Sequence, residues 1–94
     1  MAPKRKVPNR AQVQPTGGPK WAFGKILREC RENKGISQEQ LASAADLDRS
    51  FISLVERGIQ SPNLVILLKI AEVLGVSAAD MVAKVESTLG SRNR

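Results

Sequence analysis

Residues 37–58, SQEQLASAADLDRSFISLVERG, decide how this chain folds. Two short amphipathic segments meet there at a break that carries no proline. Ser37 suits an N-cap, because its hydroxyl can accept an orphan amide of the first helical turn, and Gln40 stands three residues on to complete a capping box. Leu41 and Ala42 mark the inner face of this first segment. In the second, Ile52 and Val55 repeat at i, i+3, with Phe51 four residues before Val55, so one stripe is apolar. Asp48 is expected to cap this second helix, leaving Ala45 to Leu47 as the turn. Ala42 is small where the second helix must cross closely, and Leu47 and Ile52 fill the angle. Two short helices joined by about three or four residues form a helix-turn-helix arrangement, a geometry suited to laying the second helix against DNA.

Upstream, the pattern predicts a helix over 22–33 with Phe23, Leu27 and Cys30 inward at i, i+4, i+7. Cys30 is read as core rather than as a reactive thiol. Gly35 fits the left-handed position after a helix end, and Lys34 complements the dipole there. Downstream, Pro62 breaks the chain and Asn63 is a strong N-cap. Leu64, Leu67, Leu68, Ala71 and Leu74 are read as the inner stripe of the next helix, closed by Gly75. Ser77 caps a last helix with Asp80 three residues on. Val76, Met81, Val82 and Val85 line one side of it, and Leu89 extends the line. That stripe is wider than one small core requires, so Met81, Val82, Val85 and Leu89 are read as a dimer surface, with simple packing as the bland alternative. Gly90 onward is expected to fray.

The pieces KGISQEQLA, SFISLVERG and SPNLVILLKIAEVLGVS, at this spacing, resemble the Cro/repressor-type helix-turn-helix family, also called the xenobiotic-response-element family. The resemblance covers residues 22–86 and implies an all-α, compact five-helix, lambda-repressor-like DNA-binding domain. One departure is Asp46, where the family usually has glycine. That turn position wants φ > 0, which Asp reaches more easily than most residues, at some cost. The resemblance also implies a structural ion pair between Arg31 and Glu56, since a half-buried carboxylate needs a partner to stay charged. It places Gln38 on a phosphate. Arg49, Ser50 and Ser53 lie opposite the apolar stripe, at the groove-facing start of the second motif helix. Arg can grip guanine O6 and N7 bidentately, whereas Ser discriminates weakly. Leu54 either touches a thymine methyl or packs. Arg57, Gln60, Ser61 and Asn63 are expected to position the DNA backbone rather than read bases.

The formal charge of +6 over 94 residues is unevenly spread. Residues 1–20 carry Lys4, Arg5, Lys6, Arg10 and Lys20 with no acid, whereas residues 21–90 carry eight bases against nine acids. Arg92 and Arg94 end the chain. A near-neutral domain cannot take DNA through bulk charge and must gather its few cations on one face. The expected organisation is a disordered basic arm over 1–20, a DNA-binding domain over 21–90 and a basic tail over 91–94. Lys4, Arg5, Lys6 and Arg10 either contact phosphate or a minor groove, or belong to a solvated leader. PKRKV also looks like a short nuclear-import signal.

Aromatics are few (Trp21, Phe23, Phe51), so aliphatic side chains must fill a small core. No run approaches the roughly 18 apolar residues needed to span a bilayer, and no apolar stretch follows the basic start as in a secretory signal. A single cysteine fits a reducing cytoplasm. The chain has no His, nucleophile elbow, phosphate loop or metal-ligand cluster, which argues against an enzyme, a cofactor or a metal. The expected function is a transcriptional regulator that binds a palindromic double-stranded operator as a homodimer. The alternative is an antitoxin or a bridging coactivator module on the same fold. Phage Cro-like repressors and restriction–modification controllers are similar in size and layout and are not separable at this level.

Overall fold

The structure, a computed structural model, describes residues 17–93. Five helices follow in order: α1 (Pro19–Lys34), α2 (Gln38–Ala45), α3 (Arg49–Glu56), α4 (Leu64–Leu74) and α5 (Ala78–Asn93). The expected arm contacts Lys4, Arg5, Lys6 and Arg10 lie outside the described residues. Among those described there is no strand.

Local chemistry sets most of the boundaries. Ser37 Oγ accepts from the Gln40 amide at 3.0 Å and Gln40 Oε1 accepts from the Ser37 amide at 2.8 Å, a complete capping box. Asn63 Oδ1 takes the Ile66 amide at 2.9 Å, and Ser77 Oγ takes that of Asp80 at 3.3 Å. At the other ends, α1, α2 and α4 all close with a left-handed residue: Gly35 at φ 78°, Asp46 at φ 59° and Gly75 at φ 70°. In each case the next amide reaches back five residues, from Ile36 to Arg31, Leu47 to Ala42 and Val76 to Ala71. The orphan carbonyls are thereby used. Asp46 does this without glycine's freedom.

Helix α1 is the hub, packing on α3, α4 and α5, while α2 packs on α3 and α4. Ala22, Phe23, Ile26 and Leu27 from α1 meet Leu41, Ala42 and Ala45 from α2, Ile52 and Val55 from α3, and Ile70, Ala71 and Leu74 from α4. Cys30, Leu47 and Phe51 pack partly buried against this cluster. Gly24 marks a close crossing of α1 and α3. A Cβ there would lie 2.5 Å from the Val55 carbonyl oxygen and 2.8 Å from that of Glu56. Only a residue without a side chain lets α1 come this close to the C-terminal end of α3.

Several expectations are corrected. Helix α1 begins at Pro19, three residues early, because proline fits the first helical position at no cost in hydrogen bonds. Ala45 belongs to α2, so the turn is Asp46 to Asp48. Asp48 holds the N-cap position of α3, but its side chain makes no cap hydrogen bond; its backbone carbonyl accepts from Phe51 and Ile52 instead. Helix α5 continues through Gly90 to Asn93 rather than fraying there.

The stripe on α4 is rotated from its expected place. Leu64 and Leu68 are exposed at 68% and 52%, and the buried residues are Ile70, Ala71 and Leu74, with Ile66 and Leu67 partly covered. Met81 is also corrected: at 1% exposure it belongs to the core and is not surface available to a second subunit. It sits one turn into α5, which α1 and α4 both cover. Val85 packs half-buried against the core, Leu89 is half-buried, and Val82 stays exposed.

Candidate nucleic-acid interface

The α2–α3 unit presents one polar face. Ile52 and Val55 are fully buried beneath α3, which turns Arg49 and Ser50 out to solvent and leaves Ser53 and Leu54 half-covered. The four expected base readers therefore share the outer side of a helix whose inner side is anchored in the core. Leu54 has a second duty in its backbone: its carbonyl accepts from the amides of Ile59, at 2.9 Å, and Gln60, at 3.3 Å. These bonds fold the loop after α3 back onto the helix. Arg57, Gln60, Ser61 and Asn63 are all exposed along that loop. Asn63 has its carbonyl oxygen committed to the α4 cap, so only its amide NH2 remains for another partner.

Beneath the face lies an ion pair. Arg31 Nε donates to Glu56 Oε2 at 2.6 Å and Arg31 Nη2 donates to Glu56 Oε1 at 3.0 Å, a bidentate fork with side chains only 11% and 2% exposed. Arg31 Nη1 donates at 2.9 Å to the Ile36 carbonyl in the α1–α2 loop. One guanidinium thus ties α1 to the end of α3 and to the chain entering α2. The hydrogen bonds from Arg31 to Glu56 hold its pKa above the ordinary arginine value, against the opposing effect of burial.

Gln38 continues this set of bonds in a way that spacing did not reveal. Its Nε2 donates to Glu56 Oε1 at 3.0 Å, and its Oε1 accepts from Arg49 Nη1 at 3.2 Å. Gln38 was expected only to meet a phosphate. The geometry gives its side chain a bridging position between a buried acid and the first residue of α3. Arg31, Ser37, Gln38, Glu39 and Arg49 line a shallow depression of about 330 Å³ at this junction. The capping box uses the Ser37 and Gln40 amides, and those of Gln38 and Glu39 fall in the first turn, where a helix offers no internal acceptor. Such a turn is disposed to meet an anion.

Lys20 is a further cation that lies on the fold, although its charge was assigned to the arm. It stands in the first turn of α1, and its Nζ donates to the Ile59 carbonyl at 3.5 Å, beside the α3–α4 loop. Among the described residues no cluster of three or more His, Cys, Asp or Glu is arranged to hold a metal ion. No helix among them is long and apolar enough to cross a membrane.

Comparison with known proteins agrees with this geometry. The helix-turn-helix family profile matches residues 27–81. The control protein C.MunI of Mycoplasma sp is 37% identical over 65 residues, spanning 68% of this chain and 88% of that protein. The restriction–modification controller C.AhdI of Aeromonas hydrophila superposes with a TM-score of 0.64 at 44% identity, covering 66% of this chain and 94% of the other. The controller C.Esp1396I, solved as a tetramer in complex with its natural 35 base-pair operator, gives a TM-score of 0.67 at 27% identity, covering 76% and 93%. On the match to most of its folded length, and on the α2–α3 geometry that underlies it, the chain belongs to the Cro/repressor-type helix-turn-helix family.

Proposed function

We propose that this chain is a transcriptional regulator that binds a palindromic operator in double-stranded DNA as a dimer, with α3 of each subunit in the major groove. The observation that carries the proposal is the outward polar edge of α3, Arg49, Ser50 and Ser53, fixed by full burial of Ile52 and Val55 behind it. Arg49 is the reader with the greatest power to discriminate, because its guanidinium can span two acceptors of one guanine. Ser50, Ser53 and Leu54 complete the reading edge. Gln38, Arg57, Gln60, Ser61 and Asn63 hold phosphates, and the arm cations Lys4, Arg5, Lys6 and Arg10 add sequence-independent attraction.

Two domains on a two-fold axis place two reading helices about one DNA turn apart and convert a short half-site into a palindrome. With Met81 in the core, the exposed α5 side chain for that contact is Val82, flanked by half-buried Val85 and Leu89. The reading is non-enzymatic and places the protein on DNA in the cytoplasm. The relatives named control proteins favour a restriction–modification controller among such regulators. A methyltransferase or endonuclease gene beside this one is the observation that checks it.

The direct test is selection of bound sequences from a random duplex library with the purified full chain. Titration of the selected operator with Arg49→Ala follows. Specific binding should weaken by about 1–3 kcal/mol while non-specific binding hardly changes. A variant that keeps the wild-type ranking of operators removes Arg49 as a base reader.

A further inference from the structure

The bonds around Gln38 form one continuous path, Arg31 to Glu56 to Gln38 to Arg49, crossing from α1 to both motif helices. We infer that Glu56, an acid buried beneath the polar face, is a positioning residue for base reading, acting on Arg49 through the amide of Gln38. The inference rests on the reading of Arg49 as a base contact and adds a cause for its precision.

The chemistry of the path runs in one direction. Both Glu56 oxygens face the Arg31 fork, and a carboxylate only accepts hydrogen bonds. It therefore selects the NH2 side of the Gln38 amide, at 3.0 Å. That choice turns the carbonyl oxygen outward, where the Arg49 guanidinium, which only donates, meets it at 3.2 Å. The reversed amide would set donor against donor and acceptor against acceptor. A neutral group with one donor end and one acceptor end satisfies both neighbours; a carboxylate there would repel Glu56 and an ammonium would repel Arg49.

The consequence for recognition is entropic. A free arginine side chain loses rotamer freedom when it grips a base. With Nη1 tethered to Gln38, part of that freedom is already lost before DNA arrives, while the remaining N–H groups stay available for a guanine edge. Glu56 is 2% exposed, so any influence it has on base preference must travel through its neighbours.

The test measures a ratio: affinity for the selected operator over affinity for the same duplex changed at the base pair that Arg49→Ala ceases to distinguish. Gln38→Met should reduce that ratio by about tenfold, within the range one bidentate contact contributes. Loss of a phosphate contact alone would weaken both duplexes equally and leave the ratio intact. The paired change Arg31→Met/Glu56→Met replaces the buried ions with apolar groups, an exchange that folds often tolerate. It should lower the same ratio with Gln38 and Arg49 both present. If that protein fails to fold, Glu56→Gln decides: its amide can offer Gln38 an N–H, which removes the preference for one side of the Gln38 amide, and the same ratio should fall with Gln38 and Arg49 both present. An unchanged ratio in Gln38→Met, or in the folded variant at Glu56, overturns the relay while leaving Arg49 a reader. An Arg49→Ala protein with wild-type preference at every position overturns both.

Discussion

Helices α3 and α4 are both short and both rich in aliphatic residues, yet they present opposite surfaces. In α3, RSFISLVE, polar and apolar residues separate cleanly, and the buried pair Ile52 and Val55 lies behind Arg49, Ser50 and Ser53. In α4, LVILLKIAEVL, apolar residues occur all round, and the fold leaves Leu64, Val65 and Leu68 exposed at 68%, 64% and 52%. A two-faced helix records its orientation in its own sequence. A helix apolar on every side takes its orientation from its neighbours, and the surface it leaves uncovered is the kind that marks a contact with another molecule.

The largest expected effects test the motif side. Changing either Arg31 or Glu56 alone to Ala strands the other charge in a nearly closed site, which should cost about 3–5 kcal/mol in urea unfolding. Removing both should cost less than the sum, and additive losses would mean that the fork contributes no mutual stabilisation. Next is the comparison within α4. Ile70→Ala empties a fully buried position and should cost about 2–5 kcal/mol, whereas Leu68→Ala should change stability by no more than about 0.5 kcal/mol. Equal losses at the two positions would erase the distinction between the two faces of α4.

Residues differ in how openly the sequence announced them, and the difference is one of range. The Ser37–Gln40 box, the Asn63 cap and the closures at Gly35, Asp46 and Gly75 involve partners within a few residues, so local chemistry suffices to find them. Arg31 and Glu56 lie 25 residues apart, and family resemblance, not spacing, suggested their partnership. Gln38 carried a recognisable polar role, but its bridge to Glu56 and Arg49 depends on how α2 and α3 cross. Gly24 gave no signal at all: a glycine inside a helical pattern reads as a weakness until the backbone of α3 is seen pressed against it. Met81 reads as surface because its stripe on α5 is continuous with Val82, and only the position of α1 and α4 divides the two. Asp48 shows the converse error, a good capping residue whose backbone does the work alone.

A third experiment acts on the apolar side without touching the motif. Val82→Glu places a charge on an exposed α5 position, 42% accessible in the single chain, so the fold should tolerate it. In the dimeric reading the variant sediments as a folded monomer and binds a full operator far more weakly, with half-site binding preserved. Val85 is the poorer probe, because it packs half-buried on the core and a charge there would confound folding with assembly. A Val82→Glu protein that remains dimeric would move the interface to another surface, and the exposed Leu64, Val65 and Leu68 would be tested next.

The smallest effect lies in the turn between the two motif helices. Asp46 sits at φ 59° and ψ 48°, its amide bonded to Ala42 and Ser43 carbonyls at the end of α2. A side chain in this conformation costs roughly 1–2 kcal/mol for a typical residue and less for Asp, whose short polar group can bond locally. Asp46→Gly removes that strain but gives the unfolded chain more freedom, worth about 0.4–1 kcal/mol in the other direction. The two terms nearly cancel, so the glycine variant should unfold within about 1 kcal/mol of the natural protein, whereas Asp46→Ala keeps the strain, loses the polar group and should be the least stable of the three. Urea midpoints of the three proteins, measured side by side, give the order. If Ala proves more stable than Gly, the strain of the left-handed turn is smaller than the freedom glycine gives the unfolded chain, and strain does not account for the family's usual glycine at the position that presents α3.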